Sequence, residues 1–259
     1  MVWRAVTRSS VGISHRKQQM PCQDYGDWKI MNNVIIGAVA DGAGSAKYAD
    51  IGAKLAVKTV LGYLTGIEAW LQKRKRFYHS SPLSEPEARK VFAKTVKKVL
   101  SALQKQATQE GYAIADLACT LLVVIGTPTS VAAMQIGDGF IVVRCQSSEP
   151  QLLFQPEKGE YLNQTTFVTS ANALESMQVS VCLGQQEFIC VATDGLERVA
   201  IRMSDWTPFT PFFQPLEEYL RENSILDRED EYLMNFLDSD RLNARTDDDK
   251  TLLLGFYSS

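Results

Sequence analysis

Four aspartates lie where an apolar run begins or ends beside small residues, and this pattern limits the folds open to the chain. The positions are Asp41 after Val34–Ala40, Asp138 after Val131–Ile136, Asp194 after Phe188–Thr193 and Asp248 before Thr251–Phe256. One such aspartate alone is usually a turn residue or a helix cap. Four together indicate strand ends that converge on one acidic site. Carboxylates at close range repel one another, so we expect that site to bind a cation.

The composition excludes several classes of protein. The chain has 259 residues, of which 45% are hydrophobic, and a net charge of −3, so it can bury a core but offers no basic field for nucleic acid. No apolar stretch reaches the roughly 18 residues of a membrane span, and the N-terminus lacks the apolar core of a signal peptide. We therefore expect a cytoplasmic protein that binds neither nucleic acid nor membrane, and a monomer. We also expect one domain over residues 1–259, because no linker, repeat or low-complexity tract divides the sequence.

The residues that could hold a cation are oxygen donors. The chain has two histidines, and its five cysteines form no CxxC pair, so a zinc centre of the usual kind is not expected. Carboxylate ligands favour Mg²⁺ or Mn²⁺, with Ca²⁺ also open on ligand type. Three of the cysteines lie in strand-like runs, which fits buried thiols in a reducing cytosol.

Periodicity predicts many strands and four helices. Strands are predicted over Val2–Arg8, Trp28–Ile30, Val34–Val39, Thr120–Ile125, Val131–Ile136, Phe140–Cys145, Leu152–Phe154, Thr166–Thr169, Gln178–Cys182, Glu187–Ala192 and Leu252–Tyr257. Helices are predicted over Ala46–Leu64, from a capping box at Ser84 to about Gln109, over Leu216–Asn223 and over Asp230–Leu237. The three strands from Thr120 to Cys145 read as a meander in one sheet. Blocks of strands and helices, rather than alternating βαβ units, favour an α+β fold.

Six short motifs follow one another in a recognisable order along nearly the whole chain. They are Gln23-Asp24, Asp41-Gly42-Ala43-Gly44-Ser45, Ala118-Cys119-Thr120, Ile136-Gly137-Asp138-Gly139, Ala192-Thr193-Asp194-Gly195 and Asp248-Asp249-Lys250-Thr251. Each motif is weak by itself, but the ordered set resembles the metal-dependent protein phosphatases of type 2C, the PPM family, in its bacterial branch.

The resemblance implies a fold and a reaction. The fold would be an α+β, four-layer α-β-β-α sandwich in which two antiparallel sheets are flanked by helices. The reaction would be hydrolysis of phosphoserine and phosphothreonine esters in a phosphorylated protein substrate, by direct attack of a metal-bound water or hydroxide at a dinuclear Mn²⁺ or Mg²⁺ site. A third metal ion is also open.

The resemblance also assigns metal ligands by motif. Asp41 would bridge the two metal ions and the carbonyl of Gly42 would bind one of them. Asp194 and Asp248 would bind the other. Asp24 would lie behind these ligands or bind through water.

Three further roles carry over less directly. Asp138 would bind the third metal ion. Arg16 is the preferred phosphate-binding residue near the N-terminus. The stretch Pro156–Ala171 would form a variable flap beside the site, where Asn163 and Thr166 would orient the flap or contact substrate.

Two departures from the family pattern keep an alternative open. Ala43 stands where many members have a histidine proposed as general acid, and Gln23 stands where many have glutamate. The alternative is a catalytically weak or inactive phosphatase-fold module that binds a regulatory partner. A phosphotransferase of the haloacid-dehalogenase type is disfavoured, because Asp41-Gly42-Ala43 lacks the second aspartate that such chemistry needs.

Overall fold

The computed structural model describes residues 2–73, 82–146, 148–155, 165–223 and 230–258, with residues 70–73 described as backbone only. The strands are β1 (Val2–Ser10), β2 (Tyr25–Met31), β3 (Val34–Ala40), β4 (Leu121–Thr127), β5 (Ser130–Ile136), β6 (Phe140–Cys145), β7 (Gln151–Leu152), β8 (Gln178–Leu183), β9 (Gln186–Ala192), β10 (Ile201–Arg202), β11 (Thr207–Pro208) and β12 (Lys250–Ser258). The helices are α1 (Ile13–Gln18), α2 (Ala49–Lys73), α3 (Glu85–Glu110), α4 (Glu197–Ala200), α5 (Thr210–Glu222), α6 (Glu231–Leu237) and α7 (Asp240–Asn243).

Two five-stranded sheets form the centre of the molecule. One has the order β2-β3-β4-β5-β8 and the other β1-β12-β9-β6-β7, and the neighbouring strands in both are antiparallel. The expected α+β sandwich of two antiparallel sheets flanked by helices is confirmed.

Three hydrophobic clusters hold the four layers together. Phe92 of α3 and Ile36 of β3 belong to the cluster between the first sheet and α2 with α3. Trp3 and Leu253 belong to the cluster between the two sheets. Phe213 of α5 belongs to the cluster on the outer face of the second sheet. Burial of each large side chain stabilises the fold by about 1.5–3 kcal/mol.

The middle strands of the first sheet are covered on both faces. Every residue of β3, β4 and β5 is buried, since helices lie on one face and the other sheet on the opposite face. This is why the run Val34–Ala40 is apolar throughout instead of alternating.

Among the residues that the structure describes, none of the helices combines the length and the apolar character that a membrane span requires.

Local signals placed several element ends correctly. Asn32 and Asn33 have φ of 50° and 62°, the left-handed conformation that a tight β2–β3 hairpin needs. Helix α3 begins after a capping box between Ser84 and Glu87 and ends at Gly111, whose φ is 71°. The start of α5 was misplaced, since the helix begins six residues before the predicted start at 216. Pro211 lies in its first turn, where a proline removes no helical hydrogen bond, whereas Pro215 lies inside the helix and removes one.

The predicted meander is wrong at its third strand. Strands β4 and β5 pair as expected, but β6 belongs to the other sheet, between β9 and β7. The segment Gly137-Asp138-Gly139 is therefore a crossover between sheets. A Cβ at Gly137 would lie 2.4 Å from the Thr120 side chain, so this crossover needs a glycine there. The predicted strand Thr166–Thr169 is also absent; the described residues there form turns.

Candidate active site

Asp41 leaves the core at the end of β3 and is held by the start of β4. Its backbone N–H donates to Thr120 Oγ1 at 2.9 Å, and the Thr120 N–H donates to the Asp41 carbonyl at 2.8 Å. Gly42 bridges to Cys119, and a Cβ at Gly42 would lie 2.7 Å from Ala49 Cβ and 2.8 Å from the Ala49 carbonyl oxygen. Glycine is required here because the chain passes directly against the start of α2.

Three carboxylates from distant parts of the chain meet beside this strand end. Asp41, Asp138 and Asp194 each offer an oxygen atom, and these atoms all lie within 4.8 Å of one another. Asp41 follows the end of β3, Asp138 lies in the β5–β6 crossover, and Asp194 is the second residue after β9. The separations are close to those between oxygen ligands of one divalent cation, whose metal–oxygen distances are about 2.0–2.6 Å.

Burial and repulsion by neighbouring carboxylates raise the pKa values of Asp41 and Asp194. Burial, with the charges of Asp24, Asp194 and Asp248, raises the pKa of Asp41 to about 11. Burial, with the charges of Asp138 and Asp248, raises the pKa of Asp194 to about 6. Asp41 therefore resists ionisation at neutral pH, and a divalent cation beside it would reverse this effect.

Asp24 lies next to the cluster and is 5% exposed. Its Oδ2 accepts a hydrogen bond of 2.7 Å from Thr193 Oγ1, and the same hydroxyl accepts the Thr251 N–H at 2.9 Å. Burial raises the pKa of Asp24 to about 7, although hydrogen bonds with Thr193 and Asp41 act in the opposite direction. The structure thus brings Asp24 beside Asp41, and Thr193 ties it to β12.

The two aspartates before β12 have different surroundings from those expected. Asp248 is exposed and its charge acts on Asp41 and Asp194, but it is not one of the three carboxylates that meet within 4.8 Å. Asp249, the second residue of the last motif, is 3% exposed, although consecutive charged residues are usually solvated.

Asp249 instead anchors the N-terminal segment. It accepts the backbone N–H of Gly12 at 2.7 Å and that of Gln23 at 2.6 Å, and its Oδ2 lies 3.0 Å from His15 Nδ1. These contacts position Gln23 and hence Asp24 against the cluster. No local pattern marks this role, since Asp249 binds backbone amides that lie 226 and 237 residues away in the chain.

Arg16, the predicted phosphate-binding residue, lies on α1 and pairs with a carboxylate outside the acidic cluster. Its guanidinium donates to Asp238 and, at 3.2 Å, to Ser10 Oγ, which also donates to Asp238. Nearby, the buried ammonium of Lys250 donates to Asn243 Oδ1 at 2.9 Å, and burial lowers its pKa. The phosphate-binding role of Arg16 stays a prediction.

One described residue of the stretch predicted as a flap contacts the cluster. Thr165 Oγ1 donates to Asp138 Oδ2 at 2.5 Å, and the Val168 N–H donates to the Cys119 carbonyl at 2.8 Å. Thr166 is half-buried beside that contact, and Asn163 lies outside the described residues. A run of small residues beside the site packs against Phe167 of the flap: Ala43, Ala46, Ala49 and Ala118.

Comparisons with known proteins agree with this arrangement. A family model described as "Protein phosphatase 2C" matches residues 11–238. The chain is 36% identical over 267 residues to "Serine/threonine-protein phosphatase 3" of Escherichia coli strain K12, with 100% of both chains covered. Its fold is similar to that of a Staphylococcus aureus serine/threonine phosphatase, with a TM-score of 0.62, 13% identity and coverage of 100% and 96%. A serine/threonine phosphatase of S. agalactiae gives a TM-score of 0.62 and 16% identity, with coverage of 99% and 100%.

Proposed function

We propose that this chain, which belongs to the protein phosphatase 2C family and is a protein serine/threonine phosphatase, hydrolyses phosphoserine and phosphothreonine esters at the cluster of Asp41, Asp138 and Asp194. The observation that carries this proposal is the convergence of the three carboxylates within 4.8 Å, beside the buried Asp24. A phosphoester dianion would be repelled by such a cluster alone, so the site needs cations to bind its substrate.

The donor set fits the divalent cations on which the family depends. Carboxylate and carbonyl oxygens are hard ligands, and we propose two Mn²⁺ or Mg²⁺ ions with a third in a weaker site. Asp41 and the Gly42 carbonyl, together with Asp194 and Asp248, would hold the two ions. Asp138 would serve the third. When bound, the ions supply positive charge for the phosphate and activate water for attack.

The protein's own residues keep the ligands in place. Thr120 and the backbone on either side of it fix the strand end that carries Asp41. Thr193 holds Asp24, and Asp249 holds the segment that carries Asp24. Ligands fixed in this way need little reorganisation when cations and substrate bind.

The alternative, a module without turnover, is motivated by Ala43. Its methyl side chain, which is 6% exposed and packs in a small cluster with Phe167, has no proton to give to a leaving alcohol. The acidic cluster nevertheless remains, and a purely binding module would not need it.

We further propose that the chain acts in the cytoplasm as a monomer with a single domain over residues 1–259. Its net charge of −3 provides no electrostatic attraction for nucleic acid.

The test compares Asp41→Asn with Asp240→Asn, an exposed aspartate on α7. Hydrolysis of p-nitrophenyl phosphate and of a phosphothreonine peptide is measured with Mn²⁺, with Mg²⁺ and in excess chelator. We expect Asp41→Asn to lower kcat by about 10³-fold or more, chelator to abolish turnover, and Asp240→Asn to leave it unchanged. Full activity in chelator, or an Asp41→Asn enzyme within a few-fold of wild type, would refute the proposal.

A further inference from the structure

The search outside the acidic cluster leads to two thiols on different sheets. Cys145 ends β6 and Cys182 lies near the end of β8, and their sulfur atoms are 3.8 Å apart. Both side chains are half-buried free thiols. Sequence analysis read the cysteines in strand-like runs as buried thiols, and the proposed phosphatase reaction uses no cysteine.

The thiol pair lies at the end of the sandwich away from the acidic cluster. Strand β6 begins two residues after Asp138 and ends at Cys145. Strand β5 runs toward Asp138, and Cys182 pairs with Val131 near the opposite end of β5. Chemistry at this pair therefore leaves the metal ligands untouched.

Backbone hydrogen bonds hold the two strand ends together. The turn from β8 to β9 passes from one sheet to the other, and the Gly184 N–H donates to the Thr129 carbonyl at 3.0 Å. The Gln146 N–H, next to Cys145, donates to the Gln185 carbonyl of the same turn at 2.8 Å. Gly184 has a φ of 127° and lets this turn pass close over Cys145. Since a disulfide has a sulfur separation of about 2.05 Å, side-chain rotation must bring the two sulfurs roughly 1.8 Å closer.

We propose that Cys145 and Cys182 form a reversible disulfide under oxidation by a peroxide, which cross-links the two sheets at the end of the sandwich remote from the acidic cluster. The bond closes a loop over 37 sequence positions. Thr165, whose hydroxyl donates to Asp138, lies between the two cysteines in the sequence.

The chemistry balances with one peroxide for each disulfide. The Cys145 thiolate attacks a peroxide oxygen, which breaks the O–O bond and gives a sulfenic acid and, after protonation, water. The Cys182 thiolate then attacks the sulfenic sulfur and expels a second water. Two thiols are oxidised and one H₂O₂ is reduced to two molecules of water. We assign the first attack to Cys145, whose sulfur accepts a hydrogen bond from Gln186 Nε2 at 3.3 Å, because burial raises the pKa of the Cys182 thiol.

The other cysteines are poor competitors. Cys119 and Cys190 are fully buried. Cys22 is half-buried, but the sulfur atoms that contact each other in the described part of the chain are those of Cys145 and Cys182. The oxidation should therefore select the Cys145–Cys182 pair.

The experiment treats purified full-length protein in chelator with a stoichiometric amount of H₂O₂ and analyses it by non-reducing peptide mass spectrometry. We expect a linked pair of peptides containing Cys145 and Cys182, and a rise in Tm of about 5–10 °C that a dithiol reverses. Cys145→Ser and Cys182→Ser should abolish the Tm shift, whereas the matched control Cys22→Ser should retain both the linked peptide and the shift.

The wild-type mass spectrum decides the proposal even where a variant fails to fold. Sulfinic or sulfonic acid on Cys145 without a linked peptide would overturn it, as would linkage between two molecules. A linked peptide formed by any other pair of cysteines would overturn it as well.

Discussion

The buried carboxylate of Asp249 should contribute a large share of the stability of this fold. We consider Asp249→Asn, which keeps the shape of the side chain but replaces one acceptor oxygen by an NH₂ group. The wild-type carboxylate accepts the backbone N–H of Gly12 and that of Gln23, and hydrogen bonds to a charged group contribute about 1.5–3 kcal/mol each. In the variant one N–H faces a donor and the other keeps a neutral acceptor. The loss should be about 2–4 kcal/mol, against a total stability of roughly 5–15 kcal/mol.

The assay is urea unfolding followed by far-UV circular dichroism and tryptophan fluorescence, in chelator so that metal binding does not contribute. The matched control is Asp247→Asn, an exposed member of the same acidic run, which should change the free energy of unfolding by less than about 0.5 kcal/mol. A loss below about 1 kcal/mol for Asp249→Asn, or equal losses in the two variants, would refute the anchoring role. The same variant should also lower phosphatase activity, because Gln23 precedes Asp24 in the chain.

Three further outcomes test the site. Gly42→Ala places a Cβ 2.7 Å from Ala49 Cβ, so it should lower the free energy of unfolding in urea by about 1–3 kcal/mol and lower kcat. The control Gly44→Ala, whose Cβ would meet no atom within 4 Å, should change neither quantity, and equal behaviour of the two variants would contradict the close approach. Burial raises the pKa of Asp24 to about 7 and that of Asp194 to about 6, so the folded metal-free protein binds more protons than the unfolded chain. The stabilising contribution of these bound protons is complete below about pH 4 and is lost as the pH rises to about 7. Urea unfolding in chelator should therefore give a smaller free energy at pH 7.5 than at pH 5 in wild type and a weaker dependence in Asp24→Asn, and identical slopes would contradict the assignment. Arg16→Ala should raise KM for a phosphopeptide by about tenfold, whereas Lys17→Ala should not, and an unchanged KM in Arg16→Ala would contradict the phosphate-binding role. The side chains of Arg16 and Asp238 are 43% and 34% exposed, so loss of their ion pair should lower the free energy of unfolding by less than about 1 kcal/mol.

Much of the fold could be predicted because its signals are local. The hairpin at Asn32 and Asn33 depends on positive φ, and the start of α3 depends on a hydrogen-bonded pair three residues apart. Both are properties of short segments and do not change with the rest of the chain. Strand β3 was also recognisable, because an unbroken apolar run has few alternatives to a strand covered on both faces.

The partner of a strand is not a local property. Strand β6 has an apolar pattern that would suit either sheet, and only the packing of both inner faces places it beside β9. The same limit applies to Thr165 and Asp238, whose partners lie 27 and 222 residues away, and to the thiols of Cys145 and Cys182.

The sequence by itself determined the family and the order of its aspartate motifs, because a strand end followed by small residues can be recognised within a short segment. The tertiary structure decided how those aspartates differ. Asp41, Asp138 and Asp194 meet in one cluster, whereas Asp248 stays exposed and Asp249 turns inward to bind backbone amides. The physical reason is that charge alone does not distinguish a ligand from an anchor. Burial and the direction of nearby N–H groups do, and both exist only once the sheets and the N-terminal segment have come together.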